Sequence, residues 1–265
     1  MRMKYVPKSL GDAADASSGR ESVSARLRDV IVVILCFGLA YIILGFVADL
    51  VAESISEETE AEWFALVKIG SEVGEEEGMT QVQPIFDRLT KQEGMRPLPY
   101  RLFFLPLGEP NAIAVPGGGV GVTTTLLTEV ETEIGVAFVL AHELGHHQHR
   151  HSLKRLGRQL LIRGAFSLVF GGADLEAGTA ALFLAESSYS RSQETEADEF
   201  ALQLVHNAYG TVDGSLEFLE LVEKEYETGA SRWLGFVRSH PLTKDRIDHL
   251  RTFALKLRSE AQKEE

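Results

Sequence analysis

The alternation of hydrophobic and polar positions divides the chain into one long apolar stretch and a larger region with helical spacing. No residue from Val30 to Ala48 is charged. A helix of this length reaches about 28 Å, close to the ~30 Å hydrocarbon core of a bilayer. We therefore predict a transmembrane signal anchor at residues 27–50. A buried core helix and a cleaved signal peptide are the alternatives, but core helices seldom lack a polar face and signal peptides have a shorter apolar region.

The charges on either side of this stretch predict its orientation. Six Lys and Arg residues precede it, whereas the residues behind it are acidic until the first base, Lys68. The positive-inside rule then places the amino terminus in the cytoplasm and the large remainder outside it, which is the periplasm in a Gram-negative bacterium. Residues 1–26 are rich in Ser, Ala, Gly and charge, which predicts a disordered cytoplasmic tail. We expect the protein to contact the lipid bilayer through residues 30–48.

Residues 51–265 are predicted to form one α+β domain, mostly helical with a small β-sheet. Short apolar runs cut by Pro and Gly predict two or three strands between residues 100 and 127. Apolar positions at threes and fours predict helices on both sides, one of which starts with Thr128 and Glu131 as a capping box. Residues 160–185 are apolar but interrupted by charges and glycines. They predict a helical hairpin that is partly buried or touches the bilayer surface, with a re-entrant segment as the alternative.

Composition and charge exclude several classes of protein. A hydrophobic fraction of 45% and a charged fraction of 25% are ordinary for a globular protein. The net charge of −13 argues against a nucleic-acid partner, because phosphate binding needs a basic surface. A GxxxxGK[ST] phosphate loop is also missing. Cys36 is the single cysteine, so the chain has neither an internal disulfide nor a cysteine-based metal site.

Five of the eight histidines fall within ten positions, and their spacing predicts which of them bind a metal. His142 and His146 flank Glu143 in HELGH, the zincin pattern HExxH. On a helix, positions i and i+4 lie on one face, so both imidazoles can reach one zinc ion while Glu143 acts as the base for a water. A coincidental HExxH on a solvated helix is the alternative. Solvated or structural roles are predicted for the other three: His147, His149 and His151.

A catalytic zinc ion needs a third protein ligand and one open position. The metzincin extension of HExxH fails, because His149 and Ser152 stand where that pattern requires Gly and His. A second predicted helix, in SRSQETEADEF, offers Glu194 and Asp198 on one face. We predict that Glu194 binds zinc and that Asp198 accepts the N–H of the far nitrogen of a ligand histidine. Gly145 in the first helix would allow the two helices to approach closely.

Together these motifs resemble the membrane-associated gluzincins of the HtpX and CAAX prenyl protease type. SRSQETEAD is similar to the family's SRxxExxAD, NAIAVPGG to its NAxxxPGG segment and SHPLTKDRI to its HPxxxxRI stretch. The resemblance covers about residues 80–253. This chain has one convincing span where HtpX and the prenyl proteases have several, so single-anchor or periplasmic bacterial relatives are the better comparison. The resemblance implies one zinc ion per chain on His142, His146 and Glu194, with Glu143 as the base and Asp198 behind a ligand.

The resemblance also suggests a role for His240. In some periplasmic relatives a histidine at this place is a fourth zinc ligand that closes the site, and it could otherwise stabilise the transition-state oxyanion. A packing or capping histidine before Pro241 is the third alternative. The strand NAIAV is predicted to hold an extended substrate by edge-strand pairing. Its residues are Asn111, Ala112, Ile113, Ala114 and Val115.

These observations predict a membrane-anchored zinc metalloendopeptidase that hydrolyses peptide bonds in unfolded or envelope proteins, as part of protein quality control. Its expected partners are protein or peptide substrates and the bilayer. The alternative is a metal-bound chaperone-like or binding module with little proteolysis. Loss of Glu143 or Glu194 would favour that alternative, but both residues are present.

Overall fold

The computed structural model comprises two compact units, Met1–Phe46 and Val47–Glu265. Most of the predicted cytoplasmic tail lies outside the described residues, as does the predicted break at GEEEGM except for Met79. Of the tail, the described residues 23–26 belong to a helix. The parts of the chain that the structure describes are residues 23–65, 79–170, 189–227 and 232–264.

The predicted anchor lies within one long helix, α1, which spans Val23–Ser54. Among the described residues, α1 is the one helix that is long and apolar enough to cross a membrane, judged by length and composition. Its large apolar side chains are exposed in the first unit, as at Leu35 and Ile42. A helix that is apolar on all faces and exposed is typical of a membrane anchor. The helix extends beyond both ends of the predicted span, residues 27–50.

The rest of the described chain is mostly helical and contains one small sheet, which confirms the predicted α+β class. The second and third helices precede the sheet, and the remaining seven follow it. In chain order the elements after α1 are α2 (Glu57–Phe64), α3 (Met79–Thr90), β1 (Arg101–Phe104), β2 (Ala112–Val115), β3 (Gly119–Val122), α4 (Thr124–Glu129), α5 (Glu133–Gln148), α6 (His151–Phe170), α7 (Arg191–Tyr209), α8 (Glu217–Glu227), α9 (Leu234–Ser239) and α10 (Lys244–Glu264).

The sheet has three strands in the order β1-β3-β2, so β2 lies at an edge. β1 is parallel to β3, and β2 is antiparallel to β3 with Ala112 opposite Val122. The carbonyl of Asn111 accepts the N–H of Thr123 at 3.0 Å, which sets the alternation of main-chain groups along β2. Because alternate residues of an antiparallel strand bond to opposite sides, the main-chain groups of Ala112 and Ala114 face the outer edge.

Helix α5 starts four residues later than the sequence predicts. The hydroxyl of Thr132 caps the helix by accepting the N–H of Gly135 at 3.1 Å. Thr128 belongs instead to the separate helix α4, and the backbone becomes extended at Val130. The carboxylate of Glu217, far along the chain, accepts the N–H groups that follow this break. A long-range contact therefore decides the start, and the predicted capping box was wrong.

Helices α5 and α7 pack against each other through very small residues. A Cβ atom on Gly145 would lie 2.9 Å from both the Cα and the carbonyl oxygen of Ala197. The predicted close approach of the two helices is therefore present. Buried apolar side chains on both helices, such as Phe138 on α5 and Leu202 on α7, belong to the main hydrophobic core. The core holds α5 between the sheet and α7.

Helix α6 covers the first part of the region that the sequence predicts as a helical hairpin. Leu153 and Leu156 are buried, whereas Leu160 is exposed. Residues 171–188 lie outside the described residues, so the hairpin and its contact with the bilayer stay predictions.

Candidate metal centre

Helix α5 buries the HELGH motif completely. His142, Glu143 and His146 are at most 2% exposed. The two histidines lie one turn apart, and their Nε2 atoms are 3.1 Å from each other. A solvated helix would leave these side chains in water, so the alternative of a coincidental HExxH on an exposed helix does not apply.

Helix α7 brings Glu194 to the same point. Ser190 caps this helix and forms a capping box with Gln193, which places Glu194 in the first turn. Glu194 is fully buried, with Oε2 3.6 Å from Nε2 of His142 and Oε1 3.6 Å from Nε2 of His146. The close approach of α5 and α7 is what allows a carboxylate on one helix to face two imidazoles on the other.

His240 is the fourth side chain at this point. It follows α9 directly, and its ring stacks on Phe236 with 4.5 Å between centroids. Its Nδ1 atom lies 3.2 Å from Nε2 of His142 and 3.1 Å from Oε1 of Glu194. Among the described residues, the group able to hold a metal ion is His142, His146, Glu194 and His240, with ligand atoms all within 4.8 Å of one another.

The chemistry of this cluster fits a zinc ion. Burial lowers the pKa of His142, and lowers the pKa values of His146 and His240 well below their ordinary value, so the three imidazoles are neutral. Their ring nitrogens nevertheless converge at 3.1–3.2 Å. Nitrogen ligands of tetrahedral zinc at 2.0–2.1 Å would lie about 3.3 Å apart, which is close to this spacing. Converging lone pairs beside a buried carboxylate are stabilised by a cation.

Glu143 lies beside the cluster and has no good hydrogen bond to either carboxylate oxygen. Burial raises its pKa to about 8, and the nearby Glu194 adds to this effect. Its Oε1 atom is 3.5 Å from Nε2 of His240, and the N–H of Ala114 on β2 lies close enough to lower its pKa slightly. A buried carboxylate whose oxygens have no good hydrogen bond is placed to accept a proton when it is ionised.

Asp198, for which the sequence predicts a contact with the far nitrogen of a ligand histidine, lies behind His142. Its Oδ1 atom is 2.8 Å from Nδ1 of His142, although the angle is poor for a hydrogen bond. Arg246 on α10 contacts both acids of α7: it donates to Oδ1 of Asp198 at 2.8 Å and lies 2.5 Å from Oε2 of Glu194. Burial would raise the pKa of Asp198, but Arg246 outweighs it and holds that pKa at about 2.

The sequence motif HPLTKDRI contained Arg246 but no role was assigned to it. The available signal was that two buried carboxylates, Glu194 and Asp198, need a buried cation to compensate their charge. A second residue missed from the sequence is Tyr189, whose ring stacks on His146 with 3.7 Å between centroids. Its position directly before the cap Ser190 was the only available hint.

Three of the five histidines between residues 142 and 151 lie outside the metal group. His147 is buried, and its Nε2 donates to the carbonyl of Gly119 on β3 at 2.9 Å. His151 is also buried, and its Nδ1 lies 3.1 Å from Nδ1 of His146. His149 ends α5 and is partly exposed. Two of the three therefore have structural positions, and neither contact was visible in the helical spacing.

Comparison with known proteins places these residues in a family. The profile of peptidase family M48 matches residues 76–254. The mitochondrial metalloendopeptidase OMA1 of Schizosaccharomyces pombe is 31% identical over 170 residues, which cover 63% of this chain and 50% of that protein. The β-barrel assembly-enhancing protease of Escherichia coli K12 is 29% identical over 186 residues, covering 64% and 38%. The metalloprotease YcaL of the same strain is 30% identical over 166 residues, covering 58% and 61%.

The chain thus spans about half the length of these relatives. The matched region includes all four side chains of the metal group and Arg246. It also includes the sheet and helices α3 to α9, which carry most of the core. Since the match extends over more than half of the sequence, the chain belongs to peptidase family M48, a family of zinc metalloendopeptidases.

Proposed function

We propose that this protein is a membrane-anchored zinc endopeptidase with one zinc ion per chain, held by His142, His146 and Glu194, and with Glu143 as its catalytic base. The observation that carries the proposal is the convergence of neutral imidazole nitrogens and one buried carboxylate beside a second carboxylate that has no good hydrogen bond. A binding module would not need Glu143 in that position with a raised pKa.

The chemistry divides between the metal and Glu143. When bound, zinc would supply Lewis acidity toward a peptide carbonyl and would make a water more acidic. Glu143 accepts a proton from the attacking water at a carboxylate oxygen and later delivers it to the leaving amine. The same carboxylate serves both steps, because neither of its oxygens has a good hydrogen bond that would have to break first.

Asp198 and Arg246 orient the ligands in this proposal. Asp198 holds the Nδ1 side of His142, so that the lone pair of Nε2 points into the cluster. Arg246 contacts Asp198 and Glu194 together, which fixes both carboxylates and compensates their charge in the buried site. The two residues act through the ligands and do not themselves touch a substrate.

His240 is proposed as a fourth ligand in the resting protein. The support is its Nδ1 atom, which faces the cluster at the same spacing as the two HELGH histidines. A site closed by four protein ligands has no open position for a water. Substrate entry would then have to displace His240, so that its ring would keep the resting enzyme inactive.

The outer edge of β2 is the proposed substrate-binding strand. The carbonyl of Ala112 faces His240, and the N–H of Ala114 faces Glu143, so the edge main chain lies directly beside the proposed catalytic group. Main-chain pairing with an edge strand selects extended segments and is tolerant of side-chain sequence. Unfolded chains and loops of envelope proteins are therefore the proposed substrates.

The membrane location is proposed from α1 and from the charges around it. Residues 1–26 would be the cytoplasmic tail, 27–50 the anchor and 51–265 the peptidase domain outside the cytoplasm. One similar protein is mitochondrial by name, and another is named for β-barrel assembly. Those names describe the relatives, and they support a setting in protein quality control at a membrane.

The full-length chain, purified in detergent, tests this proposal with an unfolded protein as substrate. We expect cleavage that a zinc chelator abolishes and that added zinc restores. Cleavage that continues at full rate after metal removal would contradict the proposal. Suppressed aggregation of the unfolded protein without any cleavage, by a zinc-loaded chain, would instead favour the chaperone-like alternative.

A further inference from the structure

Helix α2 places one carboxylate inside the peptidase domain although it lies upstream of the region matched by the family. Glu60 is 1% exposed, and the matched region starts at residue 76. Its Oε1 atom accepts the N–H of Gly117 at 3.0 Å. Its Oε2 atom pairs with Arg96 at 2.8 Å. A buried carboxylate is costly unless both oxygens have such partners, so this arrangement joins distant parts of the chain specifically.

The partners of Glu60 lead to the end of the HELGH helix. Arg96 donates from Nη1 to the carbonyl of His147 at 2.7 Å, and its backbone N–H donates to the side chain of Gln148 at 3.2 Å. His147 in turn contacts the carbonyl of Gly119 on β3. The end of α5 is therefore connected to this part of the sheet twice, directly at the start of β3 and, through Arg96 and Glu60, at the turn between β2 and β3.

The conformation of this turn depends on glycine. Gly117 and Gly118 have φ values of +82° and +87°, a region that side chains other than glycine rarely adopt. A Cβ atom on Gly117 would lie 2.6 Å from Cβ of Phe64, so α2 packs directly against the turn. The carbonyl of Gly118 accepts the N–H of Arg101 at 2.9 Å, and Glu60 accepts the N–H of Gly117 at the point where β2 ends.

We propose that Glu60 is a positioning residue for the substrate-binding edge. By fixing the N–H of Gly117 relative to α5, it sets the place of β2, whose main-chain groups at Ala112 and Ala114 face the metal centre. The inference rests on the proposed function of β2 as the substrate strand. Glu60 touches neither the metal group nor the edge itself, and it acts through the turn.

Two substitutions in the full-length chain separate the contacts of Glu60. Glu60→Met removes all contacts of the carboxylate, including a longer one with Arg150 at 3.9 Å, whereas Glu60→Gln keeps an oxygen for the N–H of Gly117 and loses the charge opposite Arg96. Glu57→Gln is the matched control, because Glu57 lies one turn earlier and pairs with Arg96 without contacting Gly117. Hydrogen exchange of residues 112–119 and the kinetics with an extended peptide are measured for each variant.

We expect Glu60→Met to accelerate exchange in residues 112–119 and to raise KM about tenfold, as for the loss of one charge-assisted hydrogen bond. Its kcat and zinc content should stay within about twofold, since the chemical groups are untouched. Glu60→Gln should accelerate the exchange and raise KM in the same way but less. This variant still tests the inference if Glu60→Met does not fold. Glu57→Gln should leave residues 112–119 unchanged.

Three outcomes would overturn the inference. They are unchanged exchange in residues 112–119, faster exchange spread over α5 and α7 with loss of zinc, and faster local exchange with an unchanged KM. If the unaltered chain cleaves nothing, the proposed function fails instead, and the exchange data still report whether Glu60 holds the turn.

Discussion

Arg246 affects the pKa values of two carboxylates on one face of α7, Glu194 and Asp198, to different extents. Burial raises the pKa of Glu194 to about 7, although Arg246 opposes the rise, whereas the pKa of Asp198 is held at about 2. Asp198 receives two side-chain N–H groups from the guanidinium, and Glu194 contacts a third nitrogen of it. Arg246 thus keeps Asp198 ionised behind His142, and it opposes the rise that burial causes in the pKa of Glu194.

Replacement of Arg246 by Met should destabilise the domain by about 3–5 kcal/mol, because two buried carboxylates lose their compensating charge. Zinc affinity should also fall about 10–100-fold, as for loss of other residues that orient metal ligands. Thermal unfolding and zinc titration measure the two effects. Arg251→Met is the matched control on the same helix, since Arg251 is exposed and pairs at the surface. Equal stability and zinc affinity of the two variants would rule out this role.

The two roles considered for His240, zinc ligand and oxyanion stabiliser, predict opposite effects of its removal on the rate of cleavage. If it closes the resting site, His240→Ala should raise the basal rate of cleavage, because one competing ligand is removed. If it stabilises the oxyanion instead, the same change should lower turnover by about 10² to 10³. A protease assay on the purified variant measures the sign. We expect a rise, and an unchanged rate would leave His240 with a packing role only.

At the scale of elements, the close contact of α5 and α7 was predictable because it depends on residue size. The sequence shows the small residues Gly145 and Ala197, and it shows Glu194 and Asp198 four positions apart on one helix face. The start of α5 was not predictable, because Glu217 from another helix binds the N–H groups at the break. The partner of His147 was not predictable for the same reason, since it is a carbonyl on β3. Short-range patterns carry no information on such long-range partners.

Gly145→Ala should therefore destabilise the domain, even though alanine is the better helix former by about 1 kcal/mol. The added Cβ would lie 2.9 Å from main-chain atoms of Ala197, which cannot move without shifting α7 and Glu194. Gly157→Ala on α6 is the control, because its Cβ would meet Ala48 at an ordinary 3.7 Å. Thermal unfolding should show a lower Tm for the first variant only. A Tm that rises for both would contradict this packing account.

At the scale of the whole molecule, the sequence predicted the class of the fold and the metal group from spacing and resemblance. The strands of the sheet were predicted from short apolar runs cut by Pro and Gly. The packing of α5 against α7 was predicted from small residues. The link from α2 to the β2–β3 turn was not predicted, because Glu60 looks like an ordinary acid on a charged helix. Its burial depends on Arg96 and Gly117, which are far away in the chain.

The proposed topology rests on the bases that precede residues 30–48 and on the acids that follow them. A reporter enzyme that is active only outside the cytoplasm, fused after Glu265, should be active. The matched control is a reporter that is fluorescent only in the cytoplasm, fused at the same position, and it should stay dark. The reverse pattern would place the peptidase domain in the cytoplasm.

Cleavage of an unfolded protein by the Glu143→Gln variant, measured beside its zinc content, tests the central claim most directly. The amide keeps the shape of the carboxylate and leaves the three proposed ligands in place, but it cannot take a proton from water. We expect about one zinc ion per chain in both proteins and a rate at least ~100-fold lower in the variant. An undiminished rate at the same zinc content would contradict a zinc endopeptidase that uses Glu143 as its base.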